Sequence, residues 1–269
     1  MVKLAIRDDD ANFFTKIEDL EFVYRAFKDF PVSFAIIHSV TDVSTIGSCP
    51  DTRGNTEPKF IGDNNELCNW FKLKLKEGKC DVLLHGINHS YKILNGKKLA
   101  EMEWRDNDQT LNETICRCVK DFEKLFDYTP SVFVAPSNLI TKNCLKAVTS
   151  NSLNFSGIIP VNYQRELSLS GIKSYFKRWL FRFFYKFQYP GRLIYRNHIE
   201  VNACALISFD KLVKLYSICE KYDLPMAINV HYWHLRDNPE YLEILRSFVM
   251  DYAVPRGAIP SKLSDIFEK

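Results

Sequence analysis

Short β-type apolar runs alternate along this chain with stretches that repeat apolar residues at helical spacing, and this alternation restricts the fold more than any other feature. It is typical of an α/β fold with a parallel sheet. About seven β/α units fit a closed or nearly closed barrel better than an open sheet. We therefore predict one α/β domain over residues 1–269. The predicted strands are Lys3–Arg7, Val32–Ile37, Cys80–Leu84, Ser131–Ala135, Phe155–Ile159 and Met226–Val230. The predicted helices are Ile17–Phe30, Asn64–Glu77, Gln109–Phe126, Thr141–Ser150, Phe209–Lys221 and Pro239–Tyr252.

Polar residues directly follow four of the predicted strands. In parallel α/β folds, catalytic groups gather at the carboxyl ends of the strands. Four of the six histidines lie at two of these strand ends, which scattered surface histidines would not do. The four polar segments are Asp8–Asp10, His85–His89, Pro136–Asn138 and His231–His234.

Asp8, Asp9 and Asp10 place three carboxylates next to one another. Like charges this close raise the pKa of at least one carboxyl group unless a cation offsets them. A metal ion would supply that cation. A solvated acidic turn or a helix N-cap would explain the triplet without a metal.

His85 and His89 are four residues apart, a spacing that puts both imidazoles on one face of a helical turn. Gly86 would let the backbone turn sharply after the strand. Two exposed helix histidines would give the same pattern, but the acidic triplet at another strand end favours a shared site. Two imidazoles and one carboxylate leave room for water and substrate, as catalytic metal sites do.

His231 and His234 need not point the same way, because they are three residues apart. Imidazole titrates near neutral pH, so one of them is a candidate general acid and the other a candidate structural residue. Packing in the core or at the rim of the site would explain Trp233.

The eight cysteines follow no recognisable signal peptide, because Met1 leads directly into the apolar run Val2–Ile6 and then into charged residues. No run approaches the roughly 18 apolar residues of a membrane-spanning helix. We therefore expect reduced cysteines and a cytoplasmic protein. Cys116 and Cys118 lack the spacing and the second pair of a structural zinc site, which favours two cysteines on an ordinary helix.

The formal charge of +3 is close to zero, so we expect no nucleic-acid binding by the molecule as a whole. Positive charge is concentrated in an insertion at about 167–196, since no acidic residue occurs between Glu166 and Glu200. Within 173–187, basic residues share one side of a predicted helix and aromatic residues the other. This pattern favours a helix lying on a membrane surface. A core helix with a solvated basic face is the main alternative, and binding of an acidic substrate or single-stranded nucleic acid is a third.

Taken in order, the acidic pair, the His-x-x-x-His motif, the strand end at Pro136 and the late His231 resemble the polysaccharide deacetylases, carbohydrate esterase family 4, which share the NodB homology domain. The resemblance spans nearly the whole chain. It implies a distorted (β/α)7 barrel that removes acetyl groups from N-acetylated sugars with a divalent metal, often zinc. The Arg-Asp-Asp-Asp start and the His-Tyr-Trp-His end are most similar to members associated with bacterial surface polysaccharide or O-antigen lipopolysaccharide synthesis.

The resemblance also implies roles for individual residues. Asp9 would be the catalytic base and Asp10 a metal ligand, with Asp8 and Asp9 as the other possible pair. The remaining ligands would be His85 and His89, the acid that protonates the leaving amine would be His231, and the oxyanion donor would be the Ser137 N–H. Residues expected to line the site are Arg7, Asp8, Pro136, Asn138, Trp233, His234, His198 and Glu200. The last two would line it from another strand, or belong to an edge strand.

Two positions depart from the family pattern. Val134 replaces an arginine two residues before the motif proline, and Arg7 is a candidate substitute. Asn229 replaces a leucine that lines the acetyl pocket.

The leading expectation is an N-deacetylase acting on an amino sugar of a surface glycan or lipid-linked precursor, with membrane contact through 173–187. The alternatives are a metal-dependent hydrolase of another amide or ester, and a catalytically silent, membrane-associated glycan-binding protein.

Overall fold

The computed structural model describes residues 1–27, 29–44, 47–157, 165 and 168–268. The strands are β1 (Lys3–Ala11), β2 (Val32–Ile36), β3 (Ser39–Val40), β4 (Lys59–Phe60), β5 (Cys80–His85), β6 (Lys92–Leu94), β7 (Lys97–Leu99), β8 (Val132–Val134), β9 (Asn154–Ser156), β10 (Leu193–Ile194), β11 (Ile199–Val201), β12 (Ala203–Ala205), β13 (Met226–Val230) and β14 (Ile259–Pro260). The α-helices are α1 (Ile17–Tyr24), α2 (Asn65–Lys76), α3 (Glu101–Trp104), α4 (Leu111–Phe126), α5 (Lys142–Ser150), α6 (Leu169–Tyr185), α7 (Phe209–Tyr222), α8 (Tyr232–Asp237), α9 (Pro239–Arg246) and α10 (Leu263–Phe267).

Ten of the described strands form one main sheet. Its order is β10-β11-β9-β8-β5-β2-β1-β13-β12, and β14 pairs with β1 outside this path. Strand β10 is antiparallel to β11, whereas every pair from β11 through β12 along this order is parallel. The predicted α/β class with a parallel sheet is therefore confirmed.

A single extended segment joins the two edges of the parallel sheet. Only Asn202 separates β11 from β12. The first half of the segment pairs with β9 and the second half with β13. The segment thus occupies one barrel position, and β1, β2, β5, β8, β9 and β13 occupy the other six among the described residues. The predicted distorted (β/α)7 barrel is confirmed, and the change of partner at Asn202 is one source of its distortion.

Helix α10 fills one end of the barrel. Leu263 N–H donates to Ser33 Oγ at 2.7 Å, and Ser264 N–H donates to Asp81 Oδ2 at 3.0 Å. Ser33 and Asp81 lie near the amino ends of β2 and β5, so α10 closes that end. The apolar residues that pack inside the barrel with α10 include Ala5, Ala35, Leu83, Val134, Val201, Ala203 and Ala227.

Four predicted elements differ clearly from the observed ones. Strand β1 continues to Ala11 because its parallel pairing with β2 persists to that residue, so the aspartates lie within the strand rather than after it. The first predicted helix ends at Tyr24 in α-helical form, and the last changes to a π-helical turn at Ser247–Ala253. The strand predicted at Phe155–Ile159 corresponds to β9, which begins at Asn154 and ends at Ser156. Its last two predicted residues, 158 and 159, lie outside the described residues.

Candidate metal centre and active site

Strand alternation separates the aspartates of β1. Ala5 packs inside the barrel, so Asp9, which has the same parity, faces inward, whereas Asp8 faces the helices. Tyr24 Oη and the Tyr232 N–H donate to the Asp8 carboxylate at 2.6 and 2.9 Å. Burial raises the pKa of Asp8 well above its ordinary value, although both hydrogen bonds act in the opposite direction. Asp8 therefore links β1 to α1 and α8.

Asp10 departs from this alternation. Its φ is +76°, and the pairing of β1 with β2 shifts register between Asp9 and Ala11. Such a bulge redirects a side chain at the end of a strand. Asp10 Oδ1 lies 3.0 Å from His85 Nε2 and 3.3 Å from His89 Nε2, and all three residues are buried.

The loop after β5 brings the two histidines together. His85 ends β5, and His89 lies in a non-helical loop with φ +55°, so the prediction of a helical turn is wrong. The sharp turn predicted at Gly86 is confirmed by its φ of +64°. A Cβ at Gly86 would lie 2.4 Å from Pro136 Cγ and 2.6 Å from Glu101 Oε2, so only glycine fits this close approach.

The Glu101 carboxylate holds the same loop through its backbone N–H groups. This fully buried carboxylate accepts the N–H groups of residues 87, 88 and 89 at 3.0, 3.2 and 2.9 Å. Arg105 Nε donates to the other carboxylate oxygen at 3.1 Å. No sequence signal identifies Glu101, apart from its position in a long loop near the predicted site.

The cluster of Asp10, His85 and His89 fits a divalent metal. His85 Nδ1 donates to the Val134 carbonyl at 3.0 Å, which leaves Nε2, the ring atom that faces Asp10, as the one that would ligate a metal. A proton on His85 Nε2 or a metal ion would make this close contact with the Asp10 carboxylate favourable. Asp10 Oδ1 lies 3.0 Å from His85 Nε2 and 3.3 Å from His89 Nε2, separations that donors about 2.0–2.2 Å from one zinc ion can adopt. His89 Nδ1 has no hydrogen-bond partner among the described residues.

The second oxygen of Asp10 faces a different set of groups. Ser48 Oγ donates to Oδ2 at 2.5 Å, Trp233 Nε1 donates at 3.4 Å, and His231 Nε2 lies 3.6 Å away. Burial alone would raise the pKa of Asp10, but the surrounding histidines, His89 first, hold it well below its ordinary value. Ser48 lies in the long segment between β3 and β4, and no motif predicts its place in the site.

Arg7 and Asn229 hold Asp9. Arg7 Nη2 and Asn229 Nδ2 donate to Asp9 Oδ2 at 2.7 and 2.8 Å. Arg7 also donates to Ser156 Oγ at 2.8 Å and to Asn138 Oδ1 at 3.3 Å. Asp9 Oδ1 is buried and has no partner among the described residues. One oxygen of this carboxylate is therefore fixed and the other is available.

The turn after β8 presents a backbone donor. Ser137 and Asn138 both have φ of +56°, directly after Pro136. The Ser137 hydroxyl is hydrogen-bonded to Tyr91, whose ring lies 6.0 Å from the His89 ring. In the part of the chain that is described, the Ser137 N–H has no acceptor. This turn thus lies beside the metal ligands with an available N–H.

Besides Asp8, which faces the helices, three residues expected to line the site lie elsewhere. Glu200 alternates with Val201, which packs inside the barrel, so Glu200 faces outward, where it contacts His198 Nε2 at 2.8 Å and Arg165 Nε at 2.5 Å. His198 precedes β11 and so lies at the amino end of the parallel strands. His234 contacts Asn238 Nδ2 at 3.2 Å, between α8 and α9. The structure does not bring these three residues to the metal ligands.

The fold and the site define an α/β barrel with an Asp-His-His cluster beside a second aspartate. A scan against protein-family models and a search of curated proteins find no match. Solved structures do match. A Mycobacterium smegmatis protein assigned as a polysaccharide deacetylase aligns at TM-score 0.59 and 10% identity, over 100% of this chain and 90% of that chain. The Xyl-CE4 domain of a multidomain xylanase from the hindgut metagenome of Trinervitermes trinervoides aligns at 0.52 and 10%, over 100% and 91%.

The family 4 carbohydrate esterase from Streptomyces lividans, in complex with acetate, aligns at TM-score 0.50 and 10% identity, over 97% of this chain and 92% of that chain. The chain therefore has the NodB-like fold of the family 4 carbohydrate esterases. The resemblance predicted from the order of the motifs is confirmed for the fold.

Proposed function

We propose that this protein is a metal-dependent hydrolase that removes an N-acetyl group from an amino sugar of a bacterial surface polysaccharide or its lipid-linked precursor. The observation that carries the proposal is the buried cluster of Asp10, His85 and His89 beside an Asp9 oxygen that has no partner among the described residues. This donor set suits a divalent ion, for which we propose Zn²⁺.

An ion held by this cluster would polarise the acetyl carbonyl and increase the acidity of water. Asp9 Oδ1 accepts the water proton, while Arg7 and Asn229 hold the other carboxylate oxygen in place. The Ser137 N–H donates to the developing oxyanion, and one such donor contributes about 3–4 kcal/mol to transition-state stabilisation. His231, whose side chain is 36% exposed, donates a proton to the leaving amine.

The choice of a surface-glycan precursor as the substrate rests on the sequence. The Arg-Asp-Asp-Asp start and the His-Tyr-Trp-His end support a surface-glycan or O-antigen precursor as substrate. The same resemblance supports action at the cytoplasmic face of the membrane. Arg7 supports the deacetylase assignment as well, because it gives Asp9 an arginine partner although Val134 occupies the family's arginine position.

Asn229 favours a second candidate function. Its polar side chain occupies the position of the family's acetyl-pocket leucine and bonds to Asp9. An acyl group other than acetyl would then be accepted, and the protein would be a metal-dependent hydrolase of another amide or ester.

The proposal predicts stoichiometric zinc or a similar ion in the purified protein, measured by mass spectrometry, and acetate release from N-acetylated oligosaccharides. His85→Ala should lower metal affinity by more than about 100-fold and abolish acetate release. The matched control is His234→Ala, since His234 bonds to Asn238 away from the cluster, and it should retain both properties.

Three outcomes separate the alternatives. Absence of any divalent metal at every tested pH contradicts the proposal. Metal binding with cleavage of simple acyl esters but not of acetylated sugars favours the second candidate. Metal and glycan binding without turnover, unchanged by Asp9→Asn, indicates a catalytically silent glycan-binding protein.

A further inference from the structure

Helix α6 has the reverse of the usual distribution of apolar residues. The stripe that it buries consists of Gly171, Ser174, Arg178 and Phe181, of which only Phe181 is large and apolar. Seven of the ten residues that it exposes are apolar. The four aromatic ones, each more than half exposed, are Phe176, Trp179, Phe183 and Phe184. The helix therefore does not use its apolar face to pack on the barrel, which argues against a core helix with a solvated basic face.

The helix is well formed, so its exposed face is a fixed surface. Ser168 caps the amino end by accepting the Gly171 N–H at 3.0 Å. Ser174 Oγ donates to the Ile194 carbonyl at 3.0 Å, which attaches α6 to β10. The Trp179 and Phe183 rings stack on the surface with centroids 5.5 Å apart. Contiguous exposed apolar groups of this kind mark interaction sites rather than ordinary surface.

Positive charge flanks the aromatic surface. Lys173, Lys177, Arg182 and Lys186 are all exposed on α6 or directly after it. No acidic residue occurs in the sequence from 168 to 199. Among the described helices, none has both the length and the apolar content needed to cross a bilayer.

We propose that the exposed aromatic face of α6 docks on the surface of an anionic lipid bilayer. The aromatic side chains would enter the boundary between headgroups and acyl chains, and the flanking cations would contact the anionic headgroups. Charge complementarity distinguishes this occupant from a second copy of the chain, because two α6 helices packed face to face would bring their cations together. The proposal goes beyond the proposed catalytic function and does not depend on it.

The attachments of α6 show which end of the barrel carries the helix. Tyr185 Oη contacts Tyr222 Oη at 2.5 Å, and Tyr222 ends α7 just before β13 begins. Ile194 adjoins the turn that precedes β11. Both contacts lie at the amino end of the parallel strands, opposite the metal ligands. Docking through α6 would therefore hold the protein by the end of the barrel that lies away from the metal ligands.

Co-sedimentation of the full chain with vesicles tests the proposal. We expect binding to vesicles of phosphatidylglycerol mixed with phosphatidylcholine, weakened by salt, and little binding to phosphatidylcholine alone. Lys173→Gln with Arg182→Gln should weaken binding about 25-fold, at a factor of about five per cation. Lys211→Gln with Lys214→Gln, two exposed cations on α7, makes the same change in net charge and should have no effect.

Brominated lipids supply a second readout. They should quench tryptophan fluorescence in the wild type, and Trp179→Phe should remove that quenching while binding persists. Failure of the wild type to bind anionic vesicles overturns the proposal, whether or not the protein is a deacetylase. It is also overturned if the wild type is a dimer that Phe176→Ser with Phe183→Ser converts to monomer without weakening vesicle binding, since the face would then join two copies.

Discussion

Three consecutive aspartates have three different environments in this molecule. Asp8 is bonded to Tyr24 and to the Tyr232 backbone, Asp9 to Arg7 and Asn229, and Asp10 to the histidines. Alternation along β1 separates the first two, and a bulge redirects the third. The sequence favoured Asp9 and Asp10 and left Asp8 and Asp9 as the other possible pair, because the predicted strand ended at Arg7 and so assigned no face of the sheet to any aspartate.

Single amide substitutions should separate these roles. We expect Asp10→Asn to lose the metal, and Asp9→Asn to retain it while turnover falls about 10²–10⁴-fold, as for loss of a general base. Asp8→Asn should retain both metal and turnover, because its side chain faces the helices. Metal content and acetate release measure the three effects. Loss of metal in Asp8→Asn but not in Asp10→Asn would support the other pair.

At the scale of elements, the loop after β5 shows what the sequence could and could not predict. The residues His85 and His89 were predicted, but for the wrong structural reason, since the loop is not helical. Glu101 and Ser48 depend on where long loops fold back on the barrel. Such contacts are tertiary and leave no periodic pattern in the sequence, so only the structure reveals them.

Gly86→Ala tests this loop. The added Cβ would collide with Pro136 and Glu101 while the backbone stays at φ +64°, so we expect a destabilisation of about 2–4 kcal/mol and weaker metal binding. The matched control is Gly78→Ala, at φ +70° with open space around the added Cβ. This substitution should cost only the strain of an alanine at positive φ, about 1–2 kcal/mol. Urea unfolding and zinc titration measure both variants. Equal effects of the two substitutions on metal affinity would show that the close approach is unimportant.

At the scale of the whole molecule, the alternation of strands and helices was sufficient to predict the barrel. It did not predict the segment 199–205, because a strand that changes partner at one residue has the same local pattern as an ordinary strand.

The state of the cysteines is also a property of the whole molecule, and the sequence predicts that they are reduced. All eight cysteines are free, and six of them are buried.

Thiol titration under native conditions tests that arrangement. Burial raises the pKa of Cys68 and Cys144 to about 11 and that of Cys118 and Cys204 to about 12, so few thiolates form near neutral pH. We expect rapid reaction with a disulfide reagent at Cys116 alone, abolished by Cys116→Ser, and reaction of all eight thiols after unfolding without reductant. Fewer than eight reactive thiols in the unfolded chain would indicate disulfides.

The partner change at Asn202 also bears on how the chain folds. Ile199–Val201 needs β9 beside it, and Ala203–Ala205 needs β13, which comes later in the sequence. The segment therefore cannot complete its hydrogen bonds until both edges of the sheet exist, and such non-local pairing slows folding. Closure of the barrel is thus expected to be a late step, at which the two sides of the molecule become one cooperative unit.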